Sequence, residues 1–193
     1  MNKSKQLYPP GDFGIWIIIY IELITFGIFF IGFGFSRRAE IELFNASQLL
    51  LDQRFGFVNT VLLLTSSYFI IKATQIVKTI NTKESLQTAA NFIVSAIGLG
   101  GIFLIIKVTE FTDKYEQGIN LSTNTFFMFY FLLTMFHFMH VVLGMIILFN
   151  LYINTKNGLY TITEYRGLES GASYWHMVDL LWIVLFPLIY IIR

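Results

Sequence analysis

Long apolar stretches separated by short polar segments dominate the pattern of this sequence. An α-helix rises about 1.5 Å per residue, so roughly 20 apolar residues are needed to cross a hydrocarbon core of about 30 Å. Five stretches meet or approach that length, at residues 13–35, 55–77, 89–107, 126–153 and 174–192. Barrel strands are shorter and alternate apolar with polar positions. We therefore predict an all-α integral membrane bundle of five transmembrane helices that forms a single domain over residues 1–193.

The segments between these stretches are predicted to be interfacial loops, at residues 36–54, 78–88, 109–125 and 154–173. The first loop is long and mixed in charge, and a short amphipathic helix is possible around residues 40–51. The first apolar stretch follows two lysines, as in a secretory signal, but it is longer than the apolar region of such signals. It also contains Glu22 and is followed by two arginines without a cleavage site, so we interpret it as a retained span.

Composition supports a membrane protein and excludes several classes of function. Hydrophobic residues make up 55% of the chain and charged residues 13%, whereas soluble domains carry about 25% charged residues. The absence of cysteine excludes disulfides, zinc–thiolate sites and iron–sulfur clusters. A net charge of +1 without a basic stripe gives no reason to expect a nucleic-acid partner.

The distribution of positive charge gives a weak indication of orientation. Of the 13 Lys and Arg residues, seven lie on the side of the N-terminus and six on the other side. Positive residues concentrate on the cytoplasmic side of membrane proteins. The small excess favours a cytoplasmic N-terminus.

Ionisable residues inside the predicted spans are the candidate functional groups, because charge at membrane depth is costly. Glu22 lies roughly 14 Å along the first helix, and His140 lies roughly 15 Å from the same surface on the antiparallel fourth helix. We predict that these two side chains are near neighbours, directly or through one water. The other candidates are His137, His176 and Asp179.

Three histidines raise the question of a metal or haem site. His137 and His140 share one face of the fourth helix because they are three residues apart. His176 lies only about two residues into the predicted fifth helix, so it is some 12 Å shallower than His140 and cannot share an iron with it. A di-metal site requires more histidines or Glu-x-x-His pairs. We favour hydrogen-bonded structural histidines and predict no catalytic residue, metal or cofactor in this chain.

The remaining polar residues near the spans have structural interpretations. Asp179 shares a helix face with His176 and could pair with Lys72, so a structural role is favoured over a catalytic one. Lys72 and Lys107 lie near predicted helix ends, where long side chains reach back to the interface.

Two small residues mark a packing face on the third helix. Ala96 and Gly100 are four residues apart, a spacing that lets membrane helices approach closely. We therefore predict that the third helix is packed centrally.

A series of motifs runs along the chain. The series consists of IEL with following phenylalanines at 21–30, NT at 59–60, KVTE at 107–110, FF with FHFMHV and a glycine at 126–144, and GASYWHMVDLLW at 171–182. In order and over essentially the whole chain, these motifs resemble the helices of subunit III of the haem-copper oxidases. The longer family members have two more helices at the start, so this chain resembles the five-helix bacterial form.

The resemblance implies a function that the motifs alone do not show. It implies an accessory subunit without a redox centre in a cytochrome c or quinol oxidase, in contact with catalytic subunit I, subunit II and membrane lipid. The haem and copper are expected in the partner. Such a subunit stabilises the catalytic subunit and supports proton uptake during aerobic electron transport.

The resemblance also implies roles and an orientation for particular residues. Glu22 corresponds to the buried carboxylate of the family that reacts with carbodiimide. Glu110, which alone would be interpreted as a solvated loop acid after the third helix, gains interest as part of the KVTE motif. The chain is expected in the bacterial inner membrane, with a cytoplasmic N-terminus and a periplasmic C-terminus.

Three alternatives remain open from the sequence. The five-helix form also occurs beside nitric oxide reductases, so an accessory subunit of such a reductase is possible. A small proton-coupled transporter could use Glu22 and His140 as its relay, although transporters usually show inverted repeats and broken helices. A metal-dependent membrane hydroxylase is disfavoured by the number and depth of the histidines.

Overall fold

The computed structural model describes residues 10–80 and 82–192, and within them the chain is helical, without a strand. The helices are α1 (Phe13–Ala39), α2 (Ile41–Gln48), α3 (Gln53–Thr79), α4 (Lys83–Glu116), α5 (Thr125–Lys156) and α6 (Arg166–Phe186), which continues into a π-helical turn (Pro187–Ile191). All except α2 are long and apolar enough to cross a membrane. The predicted all-α fold with five spans is confirmed, as is the short helix between the first two spans.

The helices extend beyond the apolar stretches that predicted them. Helix α4 begins six residues earlier and ends nine residues later than predicted, and α6 begins eight residues earlier. Polar caps fix several of the starts: Asp52 accepts from the amide of Arg54 at α3, and Asn124 accepts from the amide of Phe127 at α5. Such caps satisfy amides that have no partner within the helix. The apolar pattern therefore marks the membrane-embedded part of each helix and not its full length.

Helix α6 is the most buried span, while α4, the third span that was predicted to be central, packs against both α3 and α5. More than half of its apolar window, 56%, is buried, against 33% for α4 and 11% for α1. Glycines on the neighbouring helices leave room for Trp175 of α6. A Cβ atom at Gly144 of α5 would lie 2.8 Å from the Trp175 ring, and one at Gly100 of α4 would lie 3.0 Å from it. The small residues of α4 thus form part of the contact surface for α6.

The short helix α2 lies at the end of the bundle where α6 finishes. Its Gln48 side chain donates to the carbonyl of Ile189 at 2.7 Å, and its Ser47 hydroxyl accepts from Asn124 at 2.9 Å. The five spans alternate in direction, so the starts of α1, α4 and α6 lie at the opposite end. We call these two ends the α2 surface and the N-terminal surface.

Candidate functional site

Glu22 of α1 and His140 of α5 form a direct ion-pair contact. Glu22 Oε2 and His140 Nε2 are 2.9 Å apart, so the predicted proximity of the two side chains is confirmed. His140 Nδ1 lies 2.7 Å from the carbonyl oxygen of Phe136. A carbonyl only accepts hydrogen bonds, so Nδ1 carries a proton and donates it. One further proton then lies between Nε2 and Oε2, whether the pair is imidazolium with carboxylate or imidazole with carboxylic acid.

The Glu22–His140 pair lies at the edge of the bundle and is only partly enclosed. The exposed fraction of the side chain is 25% for Glu22 and 11% for His140. Two phenylalanine rings enclose the imidazole, with centroids at 5.4 Å for Phe26 and 5.7 Å for Phe136. The two phenylalanine rings cover most of the imidazole, whereas the carboxyl group of Glu22 remains partly exposed.

A second acid lies in a fully enclosed cluster of four side chains. Lys107 Nζ donates to Glu110 Oε2 at 2.9 Å and to the Tyr190 hydroxyl at 3.0 Å. The hydroxyls of Tyr130 and Tyr190 donate to Glu110 Oε1 at 2.8 and 2.5 Å. The side chains of Lys107 and Glu110 are 1% and 2% exposed. We call these four residues the Lys107–Glu110 cluster.

The interpretation of Lys107 as a snorkelling residue is wrong, and so is that of Glu110 as a loop acid. Helix α4 continues to Glu116, so Lys107 lies more than two turns before its end and both residues are helical. The four rings that surround the Lys107 ammonium, with centroids 5.0 to 5.6 Å away, belong to Phe111, Tyr130, Trp182 and Tyr190. The spacing of three residues between Lys107 and Glu110 was a signal for this pair, because residues at i and i+3 are neighbours on a helix.

The third polar group lies between α3 and α6. Ser67 Oγ is 2.5 Å from His176 Nδ1. Because α6 begins at Arg166, His176 lies about ten residues, or roughly 15 Å, into the helix. The prediction that His176 lies only about two residues into this helix is therefore wrong.

Asp179 and Lys72 do not form the ion pair that the sequence suggested. Lys72 places its ammonium 5.4 Å from the ring centroid of Tyr68. Asp179 is 8% exposed, and its Oδ1 has no hydrogen-bond partner among the described residues. The Asp179 carboxyl group is therefore left without a cation from this part of the chain.

The three histidines lie in three different environments and do not converge. His140 contacts Glu22, and His176 contacts Ser67. His137 is fully buried between the rings of Phe103 and Trp182. Within residues 10–80 and 82–192, no group of three or more His, Cys, Asp or Glu residues is arranged to hold a metal ion. Of the three, only His140 is paired with an acid within the described part of the chain.

Comparison with known proteins identifies a family and several relatives. The sequence model of the family described as cytochrome c oxidase subunit III matches residues 12–193. Cytochrome c oxidase subunit 3 of Synechocystis is 33% identical over 70% of this chain and 55% of its own length. Cytochrome bo(3) ubiquinol oxidase subunit 3 of Buchnera aphidicola is 30% identical over 99% of this chain and 88% of its own length. The haem-copper oxidase subunit I+III of Aeropyrum pernix is 26% identical over 92% of this chain and 22% of its own length.

Proposed function

The chain belongs to the cytochrome c oxidase subunit III family, and from that premise we propose that it is an accessory subunit of a haem-copper respiratory oxidase. In this proposal it lies in the bacterial inner membrane beside catalytic subunit I and subunit II, with its N-terminus in the cytoplasm. The partners carry the haem and copper. The Aeropyrum relative, named as subunit I+III, supports a close association of subunits I and III.

A polar patch where α3 packs against α6 carries the proposal, and His176 is its one partly exposed member. The patch consists of Ser67, His176 and Asp179, and we call it the α3–α6 patch. Ser67 forms a hydrogen bond with Nδ1 of His176, while Nε2 of His176 makes no hydrogen bond among the described residues. The His176 side chain is only partly buried. Ser170 of α6 accepts from the amide of Asp12 at the start of α1, and His176 lies six residues, or roughly 9 Å, further along α6, within the hydrocarbon core of about 30 Å. An unpaired polar group facing lipid at that depth is costly.

Apolar side chains surround the α3–α6 patch on both helices. Their exposed fractions are 46% for Leu64, 52% for Tyr68, 52% for Leu180 and 44% for Ile183. Apolar contacts and hydrogen bonds between helices together stabilise association in the membrane. A transmembrane helix of the catalytic subunit that offers a hydrogen-bonding group to His176 would satisfy the patch and cover its apolar rim.

The Glu22–His140 pair supports a contribution to proton uptake. The proton between Nε2 and Oε2 can move between the two partners without a change in the net charge of the pair. The Glu22 side chain is partly exposed and lies roughly 14 Å from the N-terminal surface, which is the cytoplasmic surface in this proposal. The pair is thus suited to hold one proton near the side from which the oxidase takes protons up.

Purification from native membranes tests the proposed function. A tagged chain is isolated in mild detergent, and the haem spectrum and oxygen consumption of the material are measured. We expect haem and oxygen reduction to co-purify with the tagged chain. A folded chain that is isolated without any haem protein would contradict the proposed function, and a partner that reduces nitric oxide and not oxygen would assign it to a reductase.

Two variants test the docking role of the patch in the same experiment. We expect His176→Leu to lower the yield of co-purified haem several-fold, because it removes the hydrogen-bonding nitrogen at the patch. The matched control is Ser95→Leu, which replaces an exposed polar residue on α4 whose hydroxyl bonds to its own helix. Equal haem yields from His176→Leu and the unmodified chain would remove the patch from the interface while leaving the proposed function intact.

A further inference from the structure

Two fully buried polar side chains in the centre of the bundle lack hydrogen-bond partners. Asn59 of α3 and His137 of α5 are both 0% exposed. Both amide atoms of Asn59 and both ring nitrogens of His137 are unpaired among the described residues. Most buried polar atoms in proteins have a partner, either in the protein or in an ordered water. Four unpaired atoms on two side chains therefore call for a common explanation.

The register of α3 against α4 places Asn59 level with Phe103. Ser66 of α3 donates to the carbonyl of Ala96 of α4 at 3.0 Å. The two helices are antiparallel, and Asn59 lies seven residues before Ser66 while Phe103 lies seven residues after Ala96. Seven residues are about two helical turns. Asn59 and Phe103 therefore lie at the same distance from the Ser66–Ala96 contact, and each lies on the same face of its helix as the residue that makes this contact.

His137 joins this level through aromatic contacts. Its ring centroid is 5.8 Å from that of Phe103 and 5.2 Å from that of Trp182 of α6. The rings of Phe103 and Trp182 are themselves 5.0 Å apart. Trp182 Nε1 donates to the hydroxyl of Thr60, the neighbour of Asn59 in the chain, at 2.9 Å. Trp182 thus contacts His137 and Phe103 and is hydrogen-bonded to α3 at the residue next to Asn59.

We propose that this level is a binding site for an internal water molecule shared by Asn59 and His137. An asparagine side chain offers two donor hydrogens and an acceptor oxygen, and a neutral imidazole offers one donor and one acceptor. Water both donates and accepts, and buried waters typically make about three hydrogen bonds to polar groups that otherwise lack partners. The rings of Phe103 and Trp182 form the apolar walls of the site.

The proposed water site lies between the two ionisable sites. His137 is one helical turn from His140 on α5, and Phe103 is one turn from Lys107 on α4. The Lys107 ammonium is 5.5 Å from the ring centroid of Trp182, on whose ring His137 also packs. The water therefore separates the Glu22–His140 pair from the Lys107–Glu110 cluster within the bundle, a position that does not depend on the proposed function.

A double-mutant cycle tests whether the two side chains share a water. The variants Asn59→Leu, His137→Phe and their combination are prepared in the intact complex, and the Tm of this chain is measured in each. Each single variant removes one of the two side chains that bind the shared water, so we expect each variant to lower the Tm by several degrees. The combined variant should lower it by no more than the larger single effect, because effects at interacting sites are not additive.

The control pairs Asn59→Leu with Thr134→Val. Thr134 is also 0% exposed on α5, but its hydroxyl donates to the carbonyl of Tyr130 in its own helix, so we expect additive changes in Tm. Additive changes for Asn59 and His137 as well, or single variants as stable as the unmodified chain, would overturn the proposal.

A direct observation keeps the proposal testable if the variants do not assemble. An electron cryomicroscopy map of the unmodified complex that resolves ordered waters should show a peak within hydrogen-bond distance of both Asn59 and His137. A map in which other ordered waters are visible, but apolar atoms fill the space between these two side chains, would overturn it.

Discussion

Glu22 and Glu110 are two acids on spanning helices, and their surroundings differ. Glu110 has an exposed side-chain fraction of 2% and receives hydrogen bonds from Lys107, Tyr130 and Tyr190. Glu22 is 25% exposed and contacts one partner, His140. An acid whose two oxygens both accept hydrogen bonds from enclosed side chains is suited to holding helices together. A partly exposed acid with a single imidazole partner is suited to exchanging a proton, so the two acids differ in burial and in the number of their partners.

The Lys107–Glu110 cluster connects several helices near the α2 surface of the bundle. It connects α4 and α5 with Tyr190 in the π-helical turn after α6. That turn receives two further hydrogen bonds, from Gln48 of α2 to the Ile189 carbonyl and from Gln53 to the Tyr190 carbonyl, both at 2.7 Å. The cluster thus anchors the end of the most buried span.

The largest effect is expected from breaking the Lys107–Glu110 cluster. Lys107→Met should lower the free energy of unfolding by about 3–5 kcal/mol, because it leaves a carboxylate inside the bundle without its cation. Unfolding in detergent, followed by circular dichroism, measures the change. Replacing both charges, in Lys107→Met with Glu110→Leu, should recover most of the loss, because a buried ion pair is often no more stable than apolar residues of similar size. A single variant as stable as the unmodified chain would remove the structural role of the cluster.

A smaller effect is expected at the Glu22–His140 pair. His140→Leu should lower the free energy of unfolding by about 1–3 kcal/mol, the range for a polar group that loses its partner. Because the Glu22 side chain is partly exposed, we expect the loss in the free energy of unfolding to lie near the lower end of this range. We expect a clearer loss in oxygen-reduction rate or in the lifetime of activity during turnover. A stability loss equal to that of Lys107→Met, with unchanged turnover, would reverse the roles assigned to the two sites.

The smallest effect is expected from an ion pair at the N-terminal surface. Lys78 Nζ and Glu169 Oε1 are 2.5 Å apart, and the exposed fractions of the two side chains are 37% and 12%. Exposed ion pairs contribute about 0–1 kcal/mol, so Lys78→Ala should change stability by no more than that. The same unfolding experiment measures it, and a loss as large as that of the enclosed cluster would show that burial does not set the order of these effects.

The sequence predicted the five spans and the Glu22–His140 pair because both depend on the apolar stretches. Helix α1 begins at the predicted residue, so the depth of Glu22 was estimated from a sound boundary, and the depth of His140 was counted from the end of the apolar part of its helix near Asn150. His176 and Lys107 were misplaced because α6 starts and α4 ends in polar residues, where hydropathy gives no signal. The deep burial of α6 also depends on contacts between distant segments, such as Trp175 against Gly144, which helical spacing alone does not reveal.

The contrast between an open and an enclosed acid is tested most directly by chemical modification in native membranes. An apolar carbodiimide enters the bilayer and modifies carboxyl groups that it can reach in protonated form, and mass spectrometry locates the modified residues. We expect modification at Glu22 and none at Glu110, and we expect His140→Leu to change the rate only at Glu22. Modification of Glu110 to the same extent as Glu22 in the folded chain would contradict the assignment of the two acids.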